Sequence, residues 1–280
     1  MFARTWQLGI DIQPRTLCAV AITFHRKGWQ LKRWWQFSSP INVVESGRLR
    51  QSDWLNHLLS ELRSQLPSNT SVRIGLSPEI IMQQSISMPD ADVPPSLQQN
   101  LLDLAAEKSL LLPRSEFACD YSRQPSSPKD WLMTAVRQQD MQDWMTPLAN
   151  AGLAPSIADI TPCAMRRSAA LSRQSPTALL LHVGESVLTW AAPFSQSLAF
   201  GYIPREVGEE HSSVAERVTS HAAQYDVPAH SMLCCGAVQS SGWSPFSALT
   251  FLQPPLPAQP EMFALAIGLA LCAERTSWSR

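Results

Sequence analysis

Glycine is scarce in this chain. There are 11 glycines against 22 prolines in 280 residues. That balance predicts stiff connections and few backbone loops able to cradle a phosphate. Net charge is missing too: its formal value is −1, which excludes a global basic field of the kind that holds nucleic acid. The cysteines lack paired spacing. Cys18, Cys119, Cys163, Cys234, Cys235 and Cys272 include no Cys-x-x-Cys, and most sit inside apolar runs. They read as buried thiols in a reducing compartment, not as disulfides or zinc ligands. The six histidines show no metal spacing, and the scattered Ser, His and Asp residues form no nucleophile motif. The longest unbroken apolar run, Met262 to Ala273, falls short of the roughly 20 residues that cross a bilayer. Met1 to Trp6 has no signal-peptide layout. The expectation is a soluble, cytoplasmic protein.

What is present is core. Hydrophobic residues make up 45% of the chain and charged residues 16%, which fits one large domain or two moderate ones and excludes a disordered chain. The organising stretch is Leu8-Gly9-Ile10-Asp11-Ile12-Gln13-Pro14-Arg15-Thr16. An apolar run reaches Asp11, breaks at Gln13-Pro14, and a second apolar run spans Leu17 to Phe24: strand, turn, strand, with a carboxylate at the turn. A carboxylate there is placed to meet hydrated Mg²⁺ beside a phosphate. Ala178 to Ser186 repeats the arrangement around His182, Gly184 and Glu185. Two such hairpins predict a duplicated α/β fold with a cleft between its halves, although two ordinary core hairpins would look the same.

Taken in order, Trp29 to Phe37 predicts a third strand. It carries Lys32-Arg33-Trp34-Trp35, either a stacking platform for single-stranded nucleic acid or, preferably, a basic pair flanked by packed tryptophans. Ser52 can cap a helix to about Leu66, with Trp54, Leu55, Leu58, Leu59 and Leu62 on one face. Ser71 to Leu76 then closes a β-β-β-α-β unit, the half-unit of an actin-like architecture. A strand over Ile80 to Met88 and its exit at Met88-Pro89 open a small α+β insert. After Val93-Pro94-Pro95 come a helix from Ser96 to Leu111, strands at Phe117–Tyr121 and Trp131–Arg137 around an irregular Gln124–Pro128 loop, and a helix from Gln139 to Asn150 containing Pro147, which should kink it. The second half repeats the meander at Thr177–Val183, Val187–Ala192 and Ser197–Ile203. A helix from Glu206 to Gln224, a strand at Ser231–Cys235 and a buried helix from Pro260 to about Arg275 follow. The expected domains are residues 1–77, the first half; 78–154, the insert; and 155–280, the second half.

With these residues in place, the chain resembles the PilM family of actin-like proteins, and within it the shorter HofM branch of enteric bacteria. The resemblance rests on Leu8 to Ile12, Ser87-Met88-Pro89, Ala105-Ala106-Glu107 before Leu110 to Pro113, Asp120-Tyr121, Ala151 to Pro155 with Asp159, Val183-Gly184, Cys235-Gly236-Ala237 and Ala266 to Ala270. Each piece is weak alone; their order and spacing are specific. The resemblance implies an actin-like (ribonuclease H-like) duplicated α/β fold with a small α+β insert. It also implies a place at the cytoplasmic face of the inner membrane, in a type IV pilus or DNA-uptake machine that serves use of extracellular DNA as a nutrient. It implies binding to the cytoplasmic tail of a PilN-like or HofN-like membrane partner, alongside other assembly components.

The same comparison marks departures. The family's first phosphate loop, Asp-x-Gly-x-Ser/Thr, is here Asp11-Ile12-Gln13-Pro14-Arg15-Thr16; the second, Asp-x-Gly, has His182 for its Asp and keeps Gly184; the adenosine-side Gly-Gly is reduced at Gly236. One helix at 206–224 stands where the family has an accessory subdomain. Asp11, Thr16, Gly184 and Gly236 are thus the remnants of a nucleotide site. The expectation is a non-enzymatic scaffold with no cofactor and no direct nucleic-acid contact. Its alternative is an ATP-binding switch or ATPase with Mg²⁺ at Asp11. His182 reads as a core-edge histidine paired to a neighbour. The partner tail is expected to add to an insert-strand edge at Ile80, Ile81, Met82 and Ile86, although core packing explains those residues equally well.

Overall fold

The computed structural model describes residues 5–87, 94–124, 127–206, 208–227, 231–237 and 243–273. The chain opens with an antiparallel meander of β1 (Trp6–Ile12), β2 (Thr16–His25) and β3 (Gly28–Ser38). A short hairpin, β4 (Val44–Glu45) and β5 (Arg48–Leu49), leads to α1 (Asp53–Ser64). Ser52 caps α1 as its sequence predicts, its hydroxyl accepting from the Leu55 N–H at 3.2 Å. Leu55, Leu58, Leu59 and Leu62 bury the inner face. β6 (Thr70–Leu76) then pairs parallel with β1.

The insert follows: β7 (Ile81–Ser87), α2 (Pro95–Leu110), β8 (Phe117–Gln124) and β9 (Ser127–Arg137), with sheet order β7-β9-β8. β8 and β9 run almost into each other, where an irregular loop was expected; Pro125 and Ser126 at the join lie outside the described residues, as do Met88, Pro89 and Val93. Next come α3 (Gln138–Asn150), β10 (Pro155–Ile160) and α4 (Thr161–Leu171). The second meander is β11 (Leu179–Val183), β12 (Val187–Ala191) and β13 (Phe200–Pro204). The single helix α5 (His211–Ala223) leads to β14 (Met232–Gly236), parallel to β11. α6 (Ala264–Ala270) follows a 3-10 turn at Pro260–Phe263 and is capped at Leu271. It is therefore shorter at both ends than the helix from Pro260 to about Arg275 expected from sequence; residues after 273 lie outside the described ones.

Apart from the β4–β5 hairpin, the two β-β-β-α-β units share one element order, and the fold is the expected duplicated actin-like one. Two expected boundaries shift. β10, assigned from sequence to the second half, is an edge strand of the first sheet, whose order is β10-β6-β1-β2-β3. α3, assigned to the insert, buries Trp144 and Leu148 in the first half's core beside Leu8, Ile10 and Leu62. Sequence reading groups neighbours along the chain, whereas here the chain leaves the insert at the end of β9 and returns to the first sheet. The β4–β5 hairpin is fastened to α3 by the Trp144 indole donating to the Gly47 carbonyl at 3.1 Å and by an Arg48–Asp140 ion pair at 2.7 Å.

The halves are joined by an exchange of helices. α6 packs on the first sheet: Phe263, Ala266, Ile267 and Ala270 meet Cys18, Val20, Ile22 and Leu31. α4 packs on the second: Met165 and Ala169 meet Leu180, Ala191 and Cys235. The two helices touch at Gly268, where a Cβ would come within 1.9 Å of the Ala164 carbonyl oxygen. Only a hydrogen fits against that backbone. Arg167 of α4 ties the crossing, donating to the Gly268 carbonyl at 2.9 Å and pairing with Asp159 of β10 at 2.8 Å. Since the obstacle at Gly268 is backbone, no rotamer can relieve it. Gly268→Val is therefore expected to cost at least about 3 kcal/mol of stability, read as a fall in the urea midpoint at unchanged slope; an unchanged midpoint would show that the helices do not cross this closely.

Candidate functional site

The turns after β1 and β11 face each other across the cleft. In the first, Gln13 N–H donates to the Thr16 carbonyl at 2.8 Å, Pro14 has no N–H, and Arg15 N–H donates to the Glu185 carboxylate of the second turn at 2.8 Å. In the second, Gly184 N–H donates to the Val187 carbonyl at 3.0 Å, and Arg205 holds the Gly184 carbonyl at 2.8 Å. A phosphate nest needs converging free N–H groups. Those of residues 13 to 15 are spent on a turn, absent at proline, or given to a carboxylate from the opposite half.

Asp11 is 2% exposed. Gln13, the residue that replaces the loop glycine, turns its amide back onto Asp11, donating to Oδ1 at 3.0 Å and Oδ2 at 3.3 Å. Burial pushes the carboxyl up to about 7; the Gln13 hydrogen bond opposes the rise and the Glu185 charge adds to it. His182 is 6% exposed, and burial pushes its pKa down to about 4, so the imidazole is neutral at pH 7. Its ring abuts Gly236, where a Cβ would meet Nε2 at 2.9 Å. The ring is thus fitted against backbone rather than held as the paired core-edge histidine expected from sequence.

Three of the four expected remnants meet here. Asp11, Gly184 and Gly236 line one small void of about 10 Å³ together with His182, Glu185 and Cys18. Thr16 lines neither void; it begins β2, opposite Ser38. The larger void, about 30 Å³, runs between Asp11, Gln13, Glu79, Thr161, His182 and Thr189. It has room for about two waters, whereas ligand pockets run to roughly 300–1,000 Å³. Among the described residues no group of three or more His, Cys, Asp or Glu side chains could hold a metal ion. Two participants were not foreseen: Glu185 as the acceptor of the first loop's amide, and the Gln13 amide as partner to Asp11. The first is a tertiary contact between residues 170 positions apart, which no local pattern encodes. The second was within reach, because a glutamine two residues from a buried aspartate can fold back onto it.

The insert-strand residues divide between two cores. Ile80 is 8% exposed in the first half's core and Ile86 is 5% exposed in the insert's own core, while Ile81 and Met82 are half-buried against those same cores. The strand's apolar character is thus accounted for by packing. β7 is nonetheless an edge: its sheet neighbour is β9, on one side. The Lys32–Trp35 cluster is also structural. Trp35 is buried with its indole donating to Gln65 at 3.0 Å, and Trp34 packs on Phe263 with its indole donating to the Pro255 carbonyl at 2.9 Å.

Asp11 and His182 give folding opposite pH dependences. The Asp11 pKa rises from 3.8 to about 7 on folding, so its contribution is full below 3.8 and is lost as pH climbs to 7. The His182 pKa falls from 6.5 to about 4, so its contribution is full above 6.5 and is lost as pH drops to 4. Their slopes, each up to about 1.4 kcal/mol per pH unit, cancel between pH 4 and 6.5. Asp11→Asn should unmask the histidine slope, with stability rising from pH 4 to 6.5, and should raise the melting temperature above pH 7. Parallel wild-type and variant profiles would show that Asp11 is not buried in this way.

A family model described as type IV pilus assembly protein PilM matches residues 9–180. The DNA utilization protein HofM of Escherichia coli strain K12 is 27% identical over 272 residues, 97% of this chain and 98% of HofM. A chain of the PilM–PilN type IV pilus biogenesis complex superposes with a TM-score of 0.74 at 17% identity, over 96% of this chain and 98% of that one. The cytoplasmic domain of EpsL, an inner membrane component of the type II secretion system of Vibrio cholerae, gives a TM-score of 0.57 at 10% identity over 95% of each chain. At those identities the two solved structures speak for the fold alone.

Proposed function

The chain belongs to the PilM family of type IV pilus assembly proteins, and from that premise we propose that it is a non-catalytic scaffold in a pilus-like machine for using extracellular DNA. Its likeness to HofM supports the DNA-utilization role. Its likeness to a chain of the PilM–PilN complex supports a PilN-like membrane partner, here HofN-like, whose cytoplasmic tail it binds. Through that tail the protein would sit at the inner face of the inner membrane. No described helix is long and apolar enough to cross a membrane, which fits attachment through a partner.

The observation that carries the non-catalytic reading is the fate of the first loop's amides. Phosphoryl transfer is almost entirely positioning and charge stabilisation. Here the Arg15 N–H is given to Glu185 at 2.8 Å, and the one retained carboxylate, Asp11, holds the Gln13 amide. A triphosphate would have to displace Glu185, meet its charge, and enter a void of about 30 Å³. Mg²⁺ would have to strip Gln13 from Asp11 and pass neutral His182, a poor partner for a hard cation. These residues do not fit Mg·ATP.

On this reading the partner's tail would add to β7, the insert's edge strand. An extended peptide there would pair with the β7 backbone and meet the half-exposed sides of Ile81 and Met82. Ile80 and Ile86 would hold the strand in place from its two cores.

Two measurements test the proposal. A fluorescent ATP analogue, with and without Mg²⁺, is expected to show no saturable binding up to millimolar concentration. Tight Mg²⁺-dependent binding that vanishes in Asp11→Ala would instead establish a nucleotide switch. Co-expression with a HofN-like partner is expected to give co-purification that is lost when the partner's cytoplasmic tail is deleted. Co-purification unchanged by that deletion removes the tail from the interface.

A further inference from the structure

The first sheet ends in a face of unusual composition. The hairpin tip between β2 and β3 carries Phe24, 54% exposed, then Arg26 and Lys27, both exposed. Beside it runs an irregular strap, residues 249–256, tied to β3 by Phe251 N–H donating to the Trp29 carbonyl at 3.0 Å and Leu31 N–H donating to the Phe251 carbonyl at 2.9 Å. The strap presents Phe251 at 42% and Leu252 at 43% exposure. Phe24 packs edge-on to Trp29 within the hairpin at 5.2 Å, and His25 meets Phe251 of the strap at 6.1 Å.

The two segments that make this face bring cations and no carboxylate. From residue 12 to 44 the chain has no Asp or Glu, and from 227 to 260 it has no Asp, Glu, Lys or Arg. Hairpin and strap both fall inside those runs, so neither supplies a carboxylate. Exposed aromatic and leucine side chains next to cations are the pairing that settles at a bilayer interface. The rings lie at headgroup depth and the cations pair with anionic lipid. Nucleic acid would draw on the cations and on ring faces free to stack, but Trp29 is covered edge-on by Phe24. A partner helix would want an apolar groove, whereas this surface is a protruding tip.

We propose that the β2–β3 tip and the strap form a peripheral contact with an anionic lipid surface: Arg26 and Lys27 engage headgroups, while Phe24, Phe251 and Leu252 enter the interface. One such patch gives weak, reversible attachment. It would orient the molecule on the bilayer independently of any tail-bound partner.

The test uses the whole protein without a partner, so its outcome does not depend on the scaffold reading. Purified protein is floated with vesicles of phosphatidylethanolamine and phosphatidylglycerol, and separately with phosphatidylcholine vesicles. Binding is expected only to the anionic vesicles and should weaken as salt is raised. Arg26→Glu with Lys27→Glu should reduce it by at least about tenfold. Phe24→Ser with Phe251→Ser should reduce it comparably, with circular dichroism showing that the variant is folded under the conditions of the flotation. Equal binding to both vesicle types, or binding indifferent to both double substitutions, would overturn the proposal. So would either of two alternative occupants: concentration-dependent dimerisation abolished by Phe24→Ser with Phe251→Ser, or tighter binding of single-stranded DNA than of anionic vesicles.

Discussion

The structure depends on one close approach, that of α6 to α4 at Gly268. Each half of the molecule lends a helix to the other's sheet, and the two loans are secured where the Gly268 backbone lies against the Ala164 carbonyl. The geometry of the cleft follows. With α6 held on β1 and β2 and α4 held on β11 and β12, the turns after β1 and β11 have a fixed separation. That separation is short enough for Glu185 to reach the Arg15 amide at 2.8 Å. The helix crossing and the closed loops are thus one constraint seen at two places.

The cleft is polar, and most of its polar groups are turned onto one another. It holds a carboxyl raised by burial, a neutral imidazole and a carboxylate already engaged with an amide from the opposite half. Buried titratable groups with shifted pKa values are a common mark of active sites, and here the shifts come mainly from desolvation. Catalysis by a carboxyl and an imidazole requires that they face a reacting atom. Here both line the same void of about 30 Å³. The departures at Gln13, Pro14 and His182 act together: glutamine supplies the amide that Asp11 would otherwise seek from outside, proline deletes a donor, and histidine removes a second buried charge.

Much of this was legible in the sequence. The Asp11 hairpin and its repeat at His182, the Ser52 cap and the uniformly apolar run from Met262 could be read because strand alternation, capping and all-round burial are local patterns. The packing of Trp34 and Trp35 was the favoured reading for the same reason: a strand sends consecutive side chains to opposite faces. The misplaced pieces share a cause. β10 and α3 were assigned to their sequence neighbours, although their partners, β6 and the Leu8–Leu62 core, lie on the far side of the insert. Nothing within α3 marks Trp144 for the first half's core, and Glu185 carries no local sign that its acceptor role is to a residue in the opposite half.

A ligand shifts a conformational equilibrium only through differential affinity for two states. On the proposed reading the cleft has lost the means to supply it. The groups that would tell a nucleotide-bound state from an empty one are satisfied inside the protein, by Gln13 on Asp11 and Glu185 on Arg15. What then distinguishes this chain from an inert α/β shell must lie on its surfaces, and the surfaces are not uniform. One end of the first sheet is apolar and cationic with no carboxylate in its segments, while the insert offers a strand edge whose side chains are anchored from beneath. The hairpin tip sits on the half that carries Asp11 and the strand edge on the insert, while the second half contributes the strap and the Glu185 that meets the Arg15 amide. On that reading, an actin-like duplication outlives its nucleotide. The second copy of the unit still holds the first in the shape its binding surfaces need.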